Sequence, residues 1–192
     1  MIINTDFSPD EIINNINQAF RNAAADTSHN LRFFSVATYD NGNNTPQSRM
    51  VVLRKFLPDW ALRFYTDYRS SKVADIKNHP SVSLLFWNPE ERYQIRVQAS
   101  ATVHYQNEIS ESEWQHVDDA AKKAYTTILA PGSGISQPNE VRRQKDNTHH
   151  FCVIDALPFQ IKVLQLNRED HLAMSFIRES AAEKWNGSWI LP

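Results

Sequence analysis

LRFFSVATYDNGNNTPQSRMVVLRKF, residues 31–56, reads as two strands joined by a tight turn. Residues 31–39 are strand-like, carrying Phe33, Phe34, Val36 and Thr38. Asp40-Asn41-Gly42-Asn43 then offers residues that tolerate the positive φ angles of a hairpin turn. Residues 46–56 are the returning strand. Leu57-Pro58-Asp59 turns the chain again and residues 61–68 continue the meander. Ser70 or Ser71 caps a short helix, 72–78, stopped by Pro80. Residues 81–87 and 93–105 form a further strand pair joined through Asn88-Pro89-Glu90. Near the C-terminus, 151–155 and 159–166 resemble a hairpin around Leu157-Pro158. Residues 171–178 supply another strand, and Trp185 to Trp189 brackets a terminal turn. Two capping boxes open helices: Ser8-Pro9-Asp10-Glu11, followed by Ile12, Ile16, Phe20 and Ala23 on one face, and Ser110-Glu111-Ser112-Glu113, running to about 129. Residues 130–139 are a loop. Many short strands with hairpin turns and few helices point to an antiparallel β-barrel with flanking helices, not a parallel βαβ sheet.

With 192 residues, 41% of them hydrophobic, the chain is expected to form one domain with a real core; no repeat or linker divides it. Twenty basic against twenty-two acidic residues leave a net charge of −2, which gives no footprint for nucleic acid or an anionic membrane. Any anion must be gripped locally. Cys152 has no second cysteine to pair with, and the first residues lack a signal-peptide pattern, so a cytoplasmic location is expected. The longest apolar runs, such as 82–87, are strand-length. Only four glycines are present, and neither GxGxxG nor GxxxxGK[ST] occurs. A nucleotide-like phosphate must therefore be held by side chains and a helix end.

Three segments carry residues suited to that task. In Tyr65-Thr66-Asp67-Tyr68-Arg69-Ser70-Ser71-Lys72 a strand ends in hydroxyls and a helix begins between an arginine and a lysine. Unpaired N–H groups and the helix dipole favour an anion there; a capped surface helix with solvated charges is the plainer alternative. In Ser48-Arg49-Met50-Val51-Val52-Leu53-Arg54, Arg49, Val51 and Leu53 share one strand face, and Met50, Val52 and Arg54 the other. Arg49 suits either a phosphate or a cross-strand carboxylate. In Tyr93-Gln94-Ile95-Arg96-Val97, Gln94 and Arg96 share a face, suited to a heteroaromatic edge or simply to the wet side of a sheet. His149-His150 lacks metal-ligand spacing, since adjacent strand residues face opposite ways.

Taken in order, SRMVVLR (48–54), FYTDYRSSK (64–72), NHPSVSLLFW (78–87) and ERYQIRV (91–97) resemble the pyridoxamine 5′-phosphate oxidase-like, FMN-binding split-barrel family. The resemblance is strongest over residues 46–105. It implies a Greek-key split barrel that binds FMN at the interface of a homodimer. It also implies that Arg49, Ser71 and Lys72 grip the FMN phosphate, with Thr66 nearby and Arg69 and Ser70 assisting. Val51, Val52, Leu53 and Tyr65 fall where the family meets the ribityl chain and ring. Gln94 falls where an amide reaches the flavin from the partner subunit, with Arg96 beside it. Arg54 stands where the family usually has lysine, and is the candidate contact to a small-molecule substrate.

The implied activity is an FMN-dependent oxidoreductase, the flavin carrying the redox step. Alternatives are a genuine pyridoxamine or pyridoxine 5′-phosphate oxidase, or a protein that binds FMN or haem without turnover. Here the sequence departs from the B6 enzymes. Arg168-Glu169-Asp170-His171 does not match their late Arg-x-His motif, Leu164 stands where a flavin-touching tryptophan is expected, and no substrate-phosphate site matches around 114–125.

Overall fold

A computed structural model describes residues 1–146 and 148–192. Helix α1 (Pro9–Ala25) begins at the Ser8 capping box, in which Ser8 Oγ accepts from the Glu11 N–H and the Glu11 carboxylate accepts from the Ser8 N–H. Its far end is closed by Arg32, whose guanidinium donates to the carbonyls of Ala23 and Ala24. A cation on the last carbonyls answers both their unpaired lone pairs and the helix dipole.

Strands β1 (Phe33–Asp40) and β2 (Thr45–Val52) form the hairpin. The positive φ falls on Asn44, at 56°, not on Gly42. The Asp40 carboxylate instead shapes the turn by accepting from the N–H groups of Gly42 and Asn43. The expected returning strand, 46–56, divides into β2 and β3 (Lys55–Phe56). At the break the Leu53 N–H bonds to the Arg32 carbonyl, while the Arg54 N–H bonds to the Arg63 carbonyl on β4 (Leu62–Asp67). Pairing passes from β1 to β4 within two residues.

Helix α2 (Ser71–Asn78) follows, then the β5 (Ser81–Asn88) and β6 (Tyr93–His104) pair. The second helical region is shorter than its sequence suggests. Helix α3 (Glu108–Gln115) is capped by Asn107, with Ser110 as the reciprocal partner, and the chain then breaks into α4 (Asp119–Lys122) and a 3-10 turn. Ser110 is thus the third helical residue instead of the cap, and Glu113 is released from capping.

The expected 151–166 hairpin is instead one long strand, β7 (Phe151–Gln165). Pro158 sits opposite Ala99 at a bulge, a place where a residue without an N–H is tolerated, and its carbonyl accepts from Arg178 Nε. Strand β8 (Leu172–Ile177) follows. The terminal segment read as a turn is strand β9 (Asn186–Ile190), paired with β8.

Every pairing is antiparallel, and the order is β2-β1-β5-β6-β7-β4-β3, with β8 paired to β7 and β9 to β8. The ladder is not a closed ring. Its two ends, β2 and β3, are one chain segment separated only by Leu53 and Arg54, so the chain itself joins them. This is a split barrel with helices on its outside. Its core is aromatic: Phe34 stacks on Phe86 at 4.5 Å, Phe20 of α1 packs on Phe86 at 4.9 Å, and Phe64 meets Phe34 edge-on. No helix among the described residues is long and apolar enough to cross a membrane.

Candidate functional site

Strand parity decides which way each candidate side chain points. Val36, Leu84 and Val97 are buried inside the barrel, and Arg49 lies directly opposite Val36. Arg49 therefore faces inward, at the barrel end that α2 covers. Its Nη1 donates to Thr38 Oγ1 at 2.6 Å, Thr38 donates to Asp75 Oδ2 at 2.6 Å, and Arg49 Nη2 is 3.7 Å from the same oxygen. Thr38 and Asp75 are nearly fully buried, so this relay holds the guanidinium against α2.

Across from it, Lys72 Nζ donates to Thr66 Oγ1 at 2.8 Å and to Ser70 Oγ at 3.1 Å. Both acceptors are neutral. Burial and the neighbouring Arg49 charge lower the pKa of Lys72, and burial lowers that of Arg49. Ser70 occupies the cap position of α2, yet its hydroxyl makes no capping bond, being turned to Lys72 and Thr66. The Val73 N–H bonds to the Ser70 carbonyl, but no cap side chain takes the N–H groups of the first turn. Two cations and a helix N-terminus converge on one small volume, the arrangement that binds a phosphate.

Arg54 carries a second sign of a binding site. Its guanidinium lies 5.5 Å from the Tyr65 ring centroid, and its Nε is buried with no hydrogen-bond partner. A buried unpaired donor on a cation is costly, and a bound acceptor would satisfy it. Tyr65 is fixed by donating to Glu113 Oε2 at 2.6 Å and by packing edge-on against Phe151. Burial, then the Glu113 carboxylate, raise the phenol's pKa.

The other candidates are placed differently. Ser71 begins α2 and is exposed. Val51 and Leu53 are buried in the core, while Val52 is half-buried on the outer face. Arg69 is engaged elsewhere: it pairs with Asp67 at 2.8 Å and donates to Thr127 Oγ1 and the Ile128 carbonyl, tying α2 to the 127–128 segment. Gln94 and Arg96 lie on β6, whose outward residues face Trp87 and Leu85 of β5. Strand β6 is three positions from β2, roughly 14 Å at ordinary strand spacing. Within one chain, Gln94 is not beside the Arg49–Lys72 cradle.

Thr38, Asp75 and Glu113 are the members that the sequence did not single out. Asp75 had a signal, three residues beyond Lys72 on the same helix; Thr38 and Glu113 act only through tertiary contacts. Cys152 is buried behind the cradle, and burial pushes its thiol up to about 12. Among the described residues no group of three or more metal-ligating side chains occurs. A cleft of 790 Å³ is lined mainly by apolar side chains, among them Ile128, Leu129, Ile135 and Val141, together with Arg142, and none of the cradle residues line it.

Comparison with known proteins agrees with this geometry. Residues 13–105 match the model of the pyridoxamine 5′-phosphate oxidase FMN-binding domain. A pyridoxine/pyridoxamine 5′-phosphate oxidase of Chromohalobacter salexigens is 38% identical over 64 residues, 33% of this chain and 29% of that protein. One from Acinetobacter baylyi is 29% identical over 130 residues, 68% of this chain and 58% of that protein. The matches thus span less than two thirds of those relatives. Among solved structures, a pyridoxamine 5′-phosphate oxidase-related, FMN binding protein of Nostoc punctiforme superimposes with a TM-score of 0.77, covering 98% of this chain and 100% of that one at 24% identity. PhzG of Burkholderia lata, solved with tetrahydrophenazine-1-carboxylic acid, shares the fold with a TM-score of 0.73 at 14% identity, covering 97% and 95%. The split barrel, the cradle and the matched segment agree: residues 13–105 resemble a pyridoxamine 5′-phosphate oxidase-like, FMN-binding domain, and FMN is the cofactor that domain takes.

Proposed function

We propose that the protein is an FMN-dependent oxidoreductase working as a homodimer, with two equivalent sites at the subunit interface and a small-molecule substrate. The observation that carries this reading is the cradle: Arg49 and Lys72 converge on an α2 N-terminus whose cap hydroxyl is turned away. The FMN phosphate would lie between them, within reach of Ser71 and Thr66. FMN, when bound, supplies two-electron redox chemistry. The chain's part is to bind and orient the cofactor and to place charge near its ring. Arg54, with its unpaired Nε, is the group to meet an anionic substrate or polarise the ring. Arg69 has a structural share, holding the segment beside α2.

Two features support the dimer. On the outer sheet face Phe33, Met50, Leu85 and Trp87 are 56, 63, 42 and 42% exposed, on the adjacent strands β1, β2 and β5. An apolar patch of that kind is the mark of an association surface. Gln94 and Arg96 share that outer face and lie apart from their own cradle, so they would serve the site of the second copy. A cytoplasmic location fits the single buried cysteine.

The activity is tested by mixing FMN-loaded protein anaerobically with a panel of amine and alcohol donors, pyridoxamine 5′-phosphate first, and then admitting oxygen. An oxidoreductase bleaches with a donor and recovers its colour as product accumulates. A flavin that no donor bleaches marks a binding protein. A second reading, a genuine B6-phosphate oxidase, is favoured by the names of the curated relatives, and requires the bleaching donor to be the B6 phosphate itself. Against it, residues 168–171 keep no Arg-x-His motif.

A further inference from the structure

Glu113 lies outside every segment matched to cofactor binding, yet it is the centre of a buried network. Its side chain is 5% exposed, and Oε1 accepts from Lys55 Nζ at 2.7 Å and from Arg63 Nη1. Oε2 accepts from the Tyr65 hydroxyl at 2.6 Å. Arg63 in turn makes a two-bond fork to Asp155, 2.7 Å on each arm, and His104 Nε2 stands 3.2 Å from the same carboxylate. The charges around Glu113 are thus Lys55 on β3 and Arg63 on β4, with Asp155 on β7 and His104 on β6 beyond. Burial opposes the charge on Glu113, but the bonds from Lys55, Tyr65 and Arg63 outweigh it and keep the pKa below its ordinary value. The residue is a fixed anion.

Arg63 already has its own carboxylate in Asp155, so a second one is not needed to neutralise it. What only Glu113 does is anchor the Tyr65 hydroxyl. That bond and the edge contact with Phe151 at 4.8 Å leave the ring one orientation. The Arg54 guanidinium rests on that ring, its Nε unpaired. A side chain from α3 is thus linked, through one phenol, to Arg54.

We propose that Glu113 is a positioning residue for the FMN site, fixing the Tyr65 ring and through it the Arg54 guanidinium that faces the bound cofactor or its substrate. This rests on the FMN-site reading above. The chain of contact, Glu113 to Tyr65 to Arg54, lets α3, a part of the long β6–β7 connection, influence the ring's electronic surroundings without touching FMN. A buried charge-assisted bond of this kind resists rearrangement, because breaking it strands a carboxylate.

The test uses the full chain loaded with FMN. Tyr65→Phe removes the hydroxyl and keeps the ring; Glu113→Gln removes the charge; Asp155→Asn disturbs the same ion network without touching Tyr65. For each, the visible circular dichroism of bound FMN and its midpoint potential are measured, along with the dissociation constant. Tyr65→Phe and Glu113→Gln should shift the band and the potential in the same direction and weaken FMN about 3- to 10-fold, the size of one lost hydrogen bond. The double variant should add little to either single change, since both act on the same Tyr65–Glu113 contact. Asp155→Asn should lower thermal stability with the flavin signals unmoved. If Tyr65→Phe, whose fold is least at risk, leaves band and potential on the parent values, Glu113 has only a structural role and the proposal is overturned. A parent protein that takes up no FMN overturns the site reading first, and this inference with it.

Discussion

Arg49 and Lys72 lie close enough for the arginine's charge to act on the lysine, and among the described residues Lys72 donates to hydroxyls and to no carboxylate. Replacing both with alanine removes two charge-assisted phosphate contacts, so FMN binding should weaken by about 3–6 kcal/mol. Fluorescence titration with FMN measures it, and an unchanged dissociation constant would show the phosphate lies elsewhere. The lysine also predicts a pH dependence. Burial and Arg49 hold its pKa below the ordinary 10.5. Its ammonium is therefore lost as pH rises through that lowered value, and affinity for the phosphate falls before an exposed lysine would titrate. The empty protein has the opposite slope. Between the two pKa values the unfolded chain binds more protons, so the part of its stability that Lys72 controls rises with pH. Lys72→Arg should flatten the fall in affinity. A parent affinity constant from neutral pH to pH 10 would rule Lys72 out. The two cations were legible because a lone arginine in a strand and a lysine beside a serine cap carry their chemistry in their type and place. Thr38 and Glu113 were not, because their roles come from partners 11 and 48 positions away.

Element boundaries followed local chemistry wherever local chemistry was decisive. The Ser8 box starts α1 where the sequence puts it, and the 31–56 hairpin pairs residue by residue from Phe33 with Val52 to Asp40 with Thr45. Three readings failed for one reason, that a tertiary partner outweighed a local signal. Leu157-Pro158 looked like a turn, but the long strand tolerates Pro158 at its bulge opposite β6. The Ser110–Glu113 box was displaced because Asn107 takes the cap and the barrel's cations take Glu113. Asn186-Gly187 looked like a turn, yet Gly187 is a strand residue needed for closeness: a Cβ there would meet Phe176 Cε1 at 2.6 Å and Pro9 Cβ at 3.0 Å. Gly187→Ala should accordingly destabilise the fold by about 1–3 kcal/mol, the usual range for overpacking. Gly42→Ala meets only the flexible Asp40 carboxylate, at 3.2 Å, and should cost less. Chemical denaturation of the pair tests this order; equal midpoints would contradict the packing argument.

At the scale of the molecule, the split barrel sets an inward-facing cradle at one end and an apolar sheet face outside. Antiparallel hairpins made the barrel legible in the sequence. Its closure was not, because it depends on a hand-over at Leu53 and Arg54 from β1 to β4, and nothing in the residues themselves marks it. The outer face leads to a prediction that belongs to the assembly. Leu85→Glu with Trp87→Glu places charges on the exposed apolar outer face, and, if that face is the proposed dimer surface, should turn a dimer into monomers by analytical ultracentrifugation. FMN affinity should drop with it, although neither residue lies in the cradle, because Gln94 and Arg96 would leave with the second copy. A variant that stays dimeric, or monomers that hold FMN as tightly, would remove the second copy from the site.

The most direct measurement is the visible absorption spectrum of the purified protein, followed by denaturation and identification of any released chromophore. The account predicts oxidised-flavin bands near about 370 and 450 nm and the release of one FMN per chain. A colourless protein that also fails to take up added FMN would contradict it, leaving a barrel whose cradle holds something else.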